Sequence, residues 1–120
     1  MNVYDCFMYF DEDLLLDLRL NILDEYVSKF IITEATYTHN GAKKKLKFDI
    51  NNFKKFKNKI EYIVVDNEAP NIQEINDNDN LERKGQKLIH NGWARDNYQR
   101  NRLADGIEKA EDDDIIMVSD

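Results

Sequence analysis

WARDNYQRNRLADGIEKAEDDDIIMVSD, residues 93–120, reads as a helix, a tight acidic turn and a buried strand that ends on an aspartate. Over residues 94–110 only Gly106 interrupts the helix formers, and Leu103, Ala104, Ile107 and Ala110 recur with the spacing of one buried helical stripe. Extending that stripe back by one turn reaches Arg100, with Asp96 and Asn97 above it, so charge continues the line that faces the sheet. A guanidinium in that position needs an anionic partner. Ile115, Ile116, Met117 and Val118 form a short unbroken apolar run, as expected of a strand covered on both faces. Asp120 falls just beyond its carboxyl end.

Open α/β sheets bind ligands outside the carboxyl ends of their strands. An acid in that place, with Arg100 and Asn101 on the neighbouring helix, points to a site for an anion together with a hard divalent cation, a pair that fits a nucleotide diphosphate. A strand-end turn residue at Asp120 and a structural ion pair at Arg100 explain this segment equally well.

Working outward, residues 3–10, VYDCFMYF, have the aromatic, β-prone character of a first strand, and Asp11, Glu12 and Asp13 suit the first turn of a helix after it. Leu16, Leu20, Leu23 and Val27 give that helix a stripe widened by Leu15, Leu18 and Ile22, which predicts strong packing. Arg19 on its shoulder is expected to pair with a neighbouring acid. KFIITEA at residues 29–35 is a second strand, completing a β-α-β unit with a right-handed crossover. Glu34 then emerges at the ligand edge, although a glutamate at a strand end is commonly just solvated. Residues 36–41, TYTHNG, form a turn-rich loop in which Asn40-Gly41 favours positive φ. It carries His39, usually an exposed residue in such a place, and with only His90 elsewhere there is no metal-ligand spacing.

Asn51 can cap a short helix that places Phe53 and Phe56 on one face, IEYIVV at residues 60–65 is a third strand, and Asp66 lies at its carboxyl end. Residues 67–92 hold the only proline, Pro70, and the run NDNDN. A long mobile loop is expected there, with a short helix around residues 81–89. The resulting order is that of a single α/β domain over residues 1–120, a doubly wound, Rossmann-like half-domain with a mostly parallel sheet and flanking helices.

Composition narrows the function classes. A hydrophobic content of 42% with six Tyr, six Phe and one Trp supports a real core in 120 residues. The net charge of −7 disfavours nucleic acid and anionic membrane surfaces as partners. Eight lysines and one acid fall in residues 43–59, a solvated face first and an attractor of phosphorylated ligands second. Cys6, the only cysteine, excludes an internal disulfide and reads as a small buried hydrophobe. There is no 18-residue apolar span and no signal-peptide pattern, so no membrane insertion is expected. Dinucleotide, P-loop and G-x-S-x-G signatures are absent.

Four blocks carry a resemblance to glycosyltransferase family 17, the relatives of the β-1,4-mannosyl-glycoprotein 4-β-N-acetylglucosaminyltransferase that adds bisecting GlcNAc to N-glycans. They are YDCFMYFDEDLLLDLRLNIL, KFIITEATYTHNGAKKKLKF, IEYIVVD and WARDNYQRNRLADGIEKAEDDDIIMVSD, in order and at family-like spacing over nearly the whole chain. The resemblance implies a GT-A type nucleotide-binding fold, UDP-GlcNAc as donor, a divalent metal (Mn2+ or Mg2+), a glycan acceptor and inversion at the anomeric carbon. In the family the last strand runs into S-D-x-D-E, the motif that holds the metal against the diphosphate, and Ser119 and Asp120 match its first two positions.

By that resemblance Asp120 is the metal carboxylate, Glu34 lies near the uridine, and Arg100 and Asn101 line the sugar-nucleotide pocket with Trp93 and Arg95 beside them. The second acid of the motif and an inverting general base are expected beyond residue 120, leaving this chain as the donor-nucleotide half. The mammalian relatives carry a membrane anchor ahead of the catalytic domain; none is present here, so a soluble location, cytoplasmic or otherwise, is expected. The competing reading is a non-catalytic nucleotide-binding or interaction module that retains the fold, and an exposed sheet edge would then favour self-association.

Overall fold

Four apolar runs become four parallel strands in the computed structural model, which describes residues 1–119; Asp120, the expected metal carboxylate, lies outside the described residues. In chain order the elements are β1 (Val3–Met8), α1 (Asp13–Leu23), β2 (Lys29–Ala35), a 3-10 segment (Ile50–Phe56), β3 (Ile60–Val65), α2 (Leu81–Asn101), a second 3-10 turn (Arg102–Gly106) and β4 (Ile115–Ser119). The sheet order is β3-β2-β1-β4. Cys6 stands beside Ile31 of β2 and Val118 of β4, and Phe7 beside Ser119. The chain therefore steps outward from β1 to β3 and then returns to place β4 on the other side of β1. That reversal makes the gap between β1 and β4 the topological switch point of the sheet.

Strand alternation sends the two faces of the sheet to two different cores. Phe7, Tyr9, Phe30 and Ile32 pack with Leu16 and Leu20 of α1 and with Val27, Phe53 and Phe56. Tyr4, Cys6 and Ile31 pack instead with Leu103. Leu20 is fully buried, a burial that contributes roughly 1.5–3 kcal/mol for a side chain of its size. The arrangement is the expected α/β half-domain, wound on both faces.

The packing of α1 is narrower than its sequence predicts. Leu16 and Leu20 are buried, but Leu14, Leu15, Leu18 and Ile22 are each more than half exposed. Leucines recur almost all round this helix, so periodicity alone cannot say which row meets the sheet. The sheet stops at β4, and no described element lies over the outer row. The same edge leaves Ile115, Met117 and Val118 exposed, so β4 is open where a strand covered on both faces was expected.

The C-terminal helix also differs from expectation. It begins at Leu81, thirteen residues earlier than residue 94, because the Asn80 side chain caps it by accepting a hydrogen bond from the Arg83 amide at 2.7 Å. It ends at Asn101, so the short helix expected around residues 81–89 is present but runs on without a break into the helix expected from residue 94. The stripe of Leu103, Ala104, Ile107 and Ala110 is not one helical line: Leu103 is buried, Ala104 is exposed, and Ile107 and Ala110 pack from the turn that follows. Gly106 explains the change of geometry. A Cβ there would stand 2.4 Å from Ile31 Cγ2, so the chain touches the sheet too closely for any side chain.

Side chains of α2 hold the connection that precedes it. Asn91 is buried and clasps Gln73 at both backbone groups, accepting from its N–H at 2.7 Å and donating to its carbonyl at 2.9 Å. Lys87 donates to the Glu74 carbonyl and to Asp79. Cys6 is buried as expected, and burial pushes its thiol up to about 11. Among the described residues no helix is long and apolar enough to cross a membrane.

Candidate functional site

At the switch point the central residue is Asp5, a fully buried carboxylate in the middle of β1. Its presence in an apolar strand is explained by Arg19 of α1, which donates to it twice, at 2.8 Å and 2.6 Å. A buried charge is tolerated only with such a paired, bidentate partner. The same guanidinium lies 4.2 Å from the centre of the Phe7 ring and donates to the Ser119 hydroxyl. Arg19 thus pairs with an acid, as expected, and also fixes the end of β4 against α1. A cleft of about 510 Å³ opens beside it, walled by Phe7, Met8, Leu15, Leu18 and Ile22. These walls are too apolar to receive a diphosphate.

Glu34, expected near the uridine, is a structural hub. Its carboxylate is fully buried and accepts four hydrogen bonds: from Lys44 Nζ at 2.6 Å, the Lys47 amide at 2.7 Å, the Tyr62 hydroxyl at 2.6 Å and the Phe48 amide at 3.1 Å. Burial alone would raise its pKa, but the Lys44 ammonium, the Tyr62 hydroxyl and the two amides together hold it below the ordinary carboxylate range. The Tyr62 hydroxyl is pushed up by burial and by its bond to this carboxylate. Glu34 also faces the α1 side, since Thr33 before it bonds α2 through Gln99. It is therefore not brought together with Trp93, Arg95 and Arg100. Its work is to suspend the loop that leads from Thr36 to Phe48.

That loop reaches α2 through Arg95. The Arg95 guanidinium donates to both Glu68 oxygens, at 3.0 Å and 3.1 Å, and to the His39 carbonyl at 3.0 Å. Arg95 holds the Glu68 carboxyl below its usual range. Gly41, at φ +90°, lets the loop lie directly on the guanidinium: a Cβ would stand 2.7 Å from Arg95 Nη2. Arg95 joins three segments and is a positioning residue in this arrangement.

His39 and Asp96 face each other at 3.4 Å, and Asp96 also accepts from Arg100 at 3.0 Å. Arg100 donates to Asn97 as well. Phe10, just past β1, meets the His39 ring edge-on with centres 5.2 Å apart. Around these residues lie two adjoining hollows at the carboxyl edge: about 580 Å³ between the His39–Asn40 turn and Leu88, Ile89, Trp93 and Asp96, and about 460 Å³ lined by Phe10, Thr38, His39 and Asn40. Trp93 is 73% exposed and stands over the first. Asn101 ends α2 and is exposed, as is Asp66 beyond β3.

The structure thus brings Trp93, Arg95 and Arg100 onto one stretch of α2, with Asn101 at its end and Glu34 on the opposite face of the sheet. Sequence reading missed Asp5, Phe10, Asn40, Glu68, Asn91 and Gln99. Asp5 had a visible signal, an acid inside an apolar strand. Buried Gln99 and Asn91 had none, because they sit on a helix without an apolar stripe. Among the described residues no three His, Cys, Asp or Glu side chains converge on a metal-sized point. Those residues alone do not build a metal centre.

The family model of glycosyltransferase family 17 matches residues 1–120. No curated protein and no solved structure matches the chain.

Proposed function

The chain belongs to glycosyltransferase family 17, and from that premise we propose that it supplies the donor-nucleotide half of a metal-dependent, inverting transfer from a UDP-sugar, with UDP-GlcNAc as donor, to a glycan acceptor. The observation that supports this reading is the switch point between β1 and β4, the place where open parallel sheets receive nucleotides. Ser119 ends β4 there, tied to Arg19. A GT-A type arrangement places the diphosphate along this edge, with Arg100 and Asn101 approaching it from the end of α2.

Inverting transfer needs a carboxylate that deprotonates the acceptor hydroxyl. Four of the described acids are committed elsewhere and are not assigned to it: Asp5 within β1 and Glu34 are buried in hydrogen bonds, Glu68 is held by Arg95, and Asp96 lies between His39 and Arg100. The divalent ion, Mn2+ or Mg2+, is assigned to Asp120.

The open edge of β4 and the outer leucines of α1 support one more part of the proposal, self-association by strand pairing along that edge. Light scattering behind gel filtration tests it, with a monomer at all concentrations as the contrary result. The main proposal is tested by thermal melts with UDP and UDP-GlcNAc, each with and without Mn2+. A ligand at a hundred times its Kd stabilises the native state by about 2.7 kcal/mol, several degrees for a domain of this size. A metal-dependent rise supports a donor site in these residues; no rise with either nucleotide refutes one.

A further inference from the structure

The hollow between the His39–Asn40 turn and α2 has a composition that the donor nucleotide does not explain. Trp93 is the only tryptophan of the chain and is 73% exposed, with Leu88 and Ile89 exposed one turn before it. Polar residues complete the lining: His39 and Asn40 from the turn across the hollow, and Asp96 one turn beyond Trp93 on the same helix; the Asn40 oxygen accepts from Thr38 and the Ala42 amide, which leaves its NH2 group to donate. Among the described residues no lysine or arginine lines the hollow. The nearest guanidinium groups are engaged, Arg95 with Glu68 and His39, and Arg100 with Asp96 and Asn97. A diphosphate placed here would meet a carboxylate and no available cation.

A neutral pyranose fits these walls. One face of a sugar ring is a plate of C–H groups that stacks on an indole, and its edge carries adjacent hydroxyls that an amide and a carboxylate bind in pairs. The volume of about 580 Å³ lies within the range of small-molecule sites. We propose that this hollow is a binding site for a neutral oligosaccharide, the acceptor side of the transfer, with Trp93 as its stacking platform and Asn40 and Asp96 as hydroxyl partners. The proposal rests on the glycosyltransferase reading above and separates the two substrates: donor toward the switch point, acceptor on the outer half of α2. The Glu68–Arg95–His39 linkage then sets specificity indirectly, because it fixes the turn that forms one wall.

Trp93 makes the test direct, since all tryptophan emission comes from the proposed platform. The full chain is titrated with chitobiose, mannotriose and maltotriose, and in parallel with UDP and inorganic phosphate. The expected result is a saturable blue shift with at least one neutral oligosaccharide and none with phosphate. By calorimetry, Trp93→Ala should weaken that sugar at least tenfold and Trp93→Phe should weaken it less, with both variants melting within a few degrees of the parent. Emission that ignores every neutral sugar up to 10 mM overturns the proposal, as does an equal response to phosphate or an undiminished affinity in Trp93→Ala. A metal-dependent UDP stabilisation that survives such a failure would leave the donor reading intact and remove only this site.

Discussion

Replacing Glu34 by Gln keeps the size of the side chain and removes its charge, which makes it a sharp probe of how the carboxyl edge is held. The native carboxylate accepts from four donors, two at each oxygen. A glutamine can turn its one oxygen to Lys44 and Lys47; its NH2 group then faces the Phe48 amide, donor against donor, and Lys44 loses its counter-charge. The side chain of Lys44 is only 15% exposed, so water replaces little of that loss. Breaking a buried pair by neutralising one member costs about 3–5 kcal/mol, which lowers Tm by roughly 10–20 °C in a domain of this length. Chemical denaturation at pH 7 measures the difference.

The pH dependence gives an independent readout. Because the folded-state pKa of Glu34 is lowered, its contribution is complete above the unfolded value of about 4.3 and is lost as pH falls through the folded value below that. The gap between parent and Glu34→Gln should therefore be constant near neutrality and close in that acidic window. Adding Lys44→Met should recover part of the loss, since it removes the orphaned charge. A gap under about 1 kcal/mol at pH 7, where a lone neutral hydrogen bond would fall, refutes the hub, and so does a gap that persists unchanged into acid.

Gly106→Ala should destabilise by about 1–3 kcal/mol through overpacking against the buried Ile31, and Gly106→Ala combined with Ile31→Val should cost less than the two changes summed, as denaturant midpoints will show. Asn91→Ala should raise hydrogen exchange at the Gln73 amide and its neighbours at least tenfold and leave β1 and β2 protected, because the clasp acts on the connection and not on the sheet. Cys6 should react with a thiol reagent at pH 8 much more slowly than a free cysteine, because burial both raises its pKa and shields the sulfur, and urea that opens the core should restore the free rate.

Much of the fold was readable because its strands are written as apolar runs bounded by polar turns, and four such runs separated by helix-length segments leave few arrangements. The β-α-β unit made β1 and β2 neighbours, as they are, but the place of β4 was not readable: Asp5 beside Met117 is a contact between the two ends of the chain. The helices were read less well, for opposite reasons. Leu14, Leu15, Leu18 and Ile22 exceed what one sheet face can cover, so the pattern overstated the packing of α1. The first half of α2, by contrast, has almost no apolar stripe; polar staples such as Asn91 to Gln73 hold it, and such pairs have no sequence period.

The candidate site divides in the same way. Trp93, Arg95 and Arg100 were singled out by their place on a helix beside the strand ends, and they do share one stretch of it. Glu34 was placed by the rule that carboxyl ends carry ligands, but alternation turns it to the other face, where Lys44 and Tyr62 occupy it. Its partners lie ten and 28 residues away. No local pattern could have matched them.

In the proposed function the donor nucleotide sits at the switch point between β1 and β4. Amide spectra of the 15N-labelled chain, recorded with UDP and Mg2+ and then with Mn2+ in place of Mg2+, test it most directly. The account predicts shifts confined to the carboxyl edge, at residues 9–12, at Arg100 and Asn101 and at Ser119, with Mn2+ broadening centred on Ser119 and fading toward the lysine-rich segment 43–59. Shifts centred on those lysines, or spectra unchanged by UDP with either metal, would contradict it.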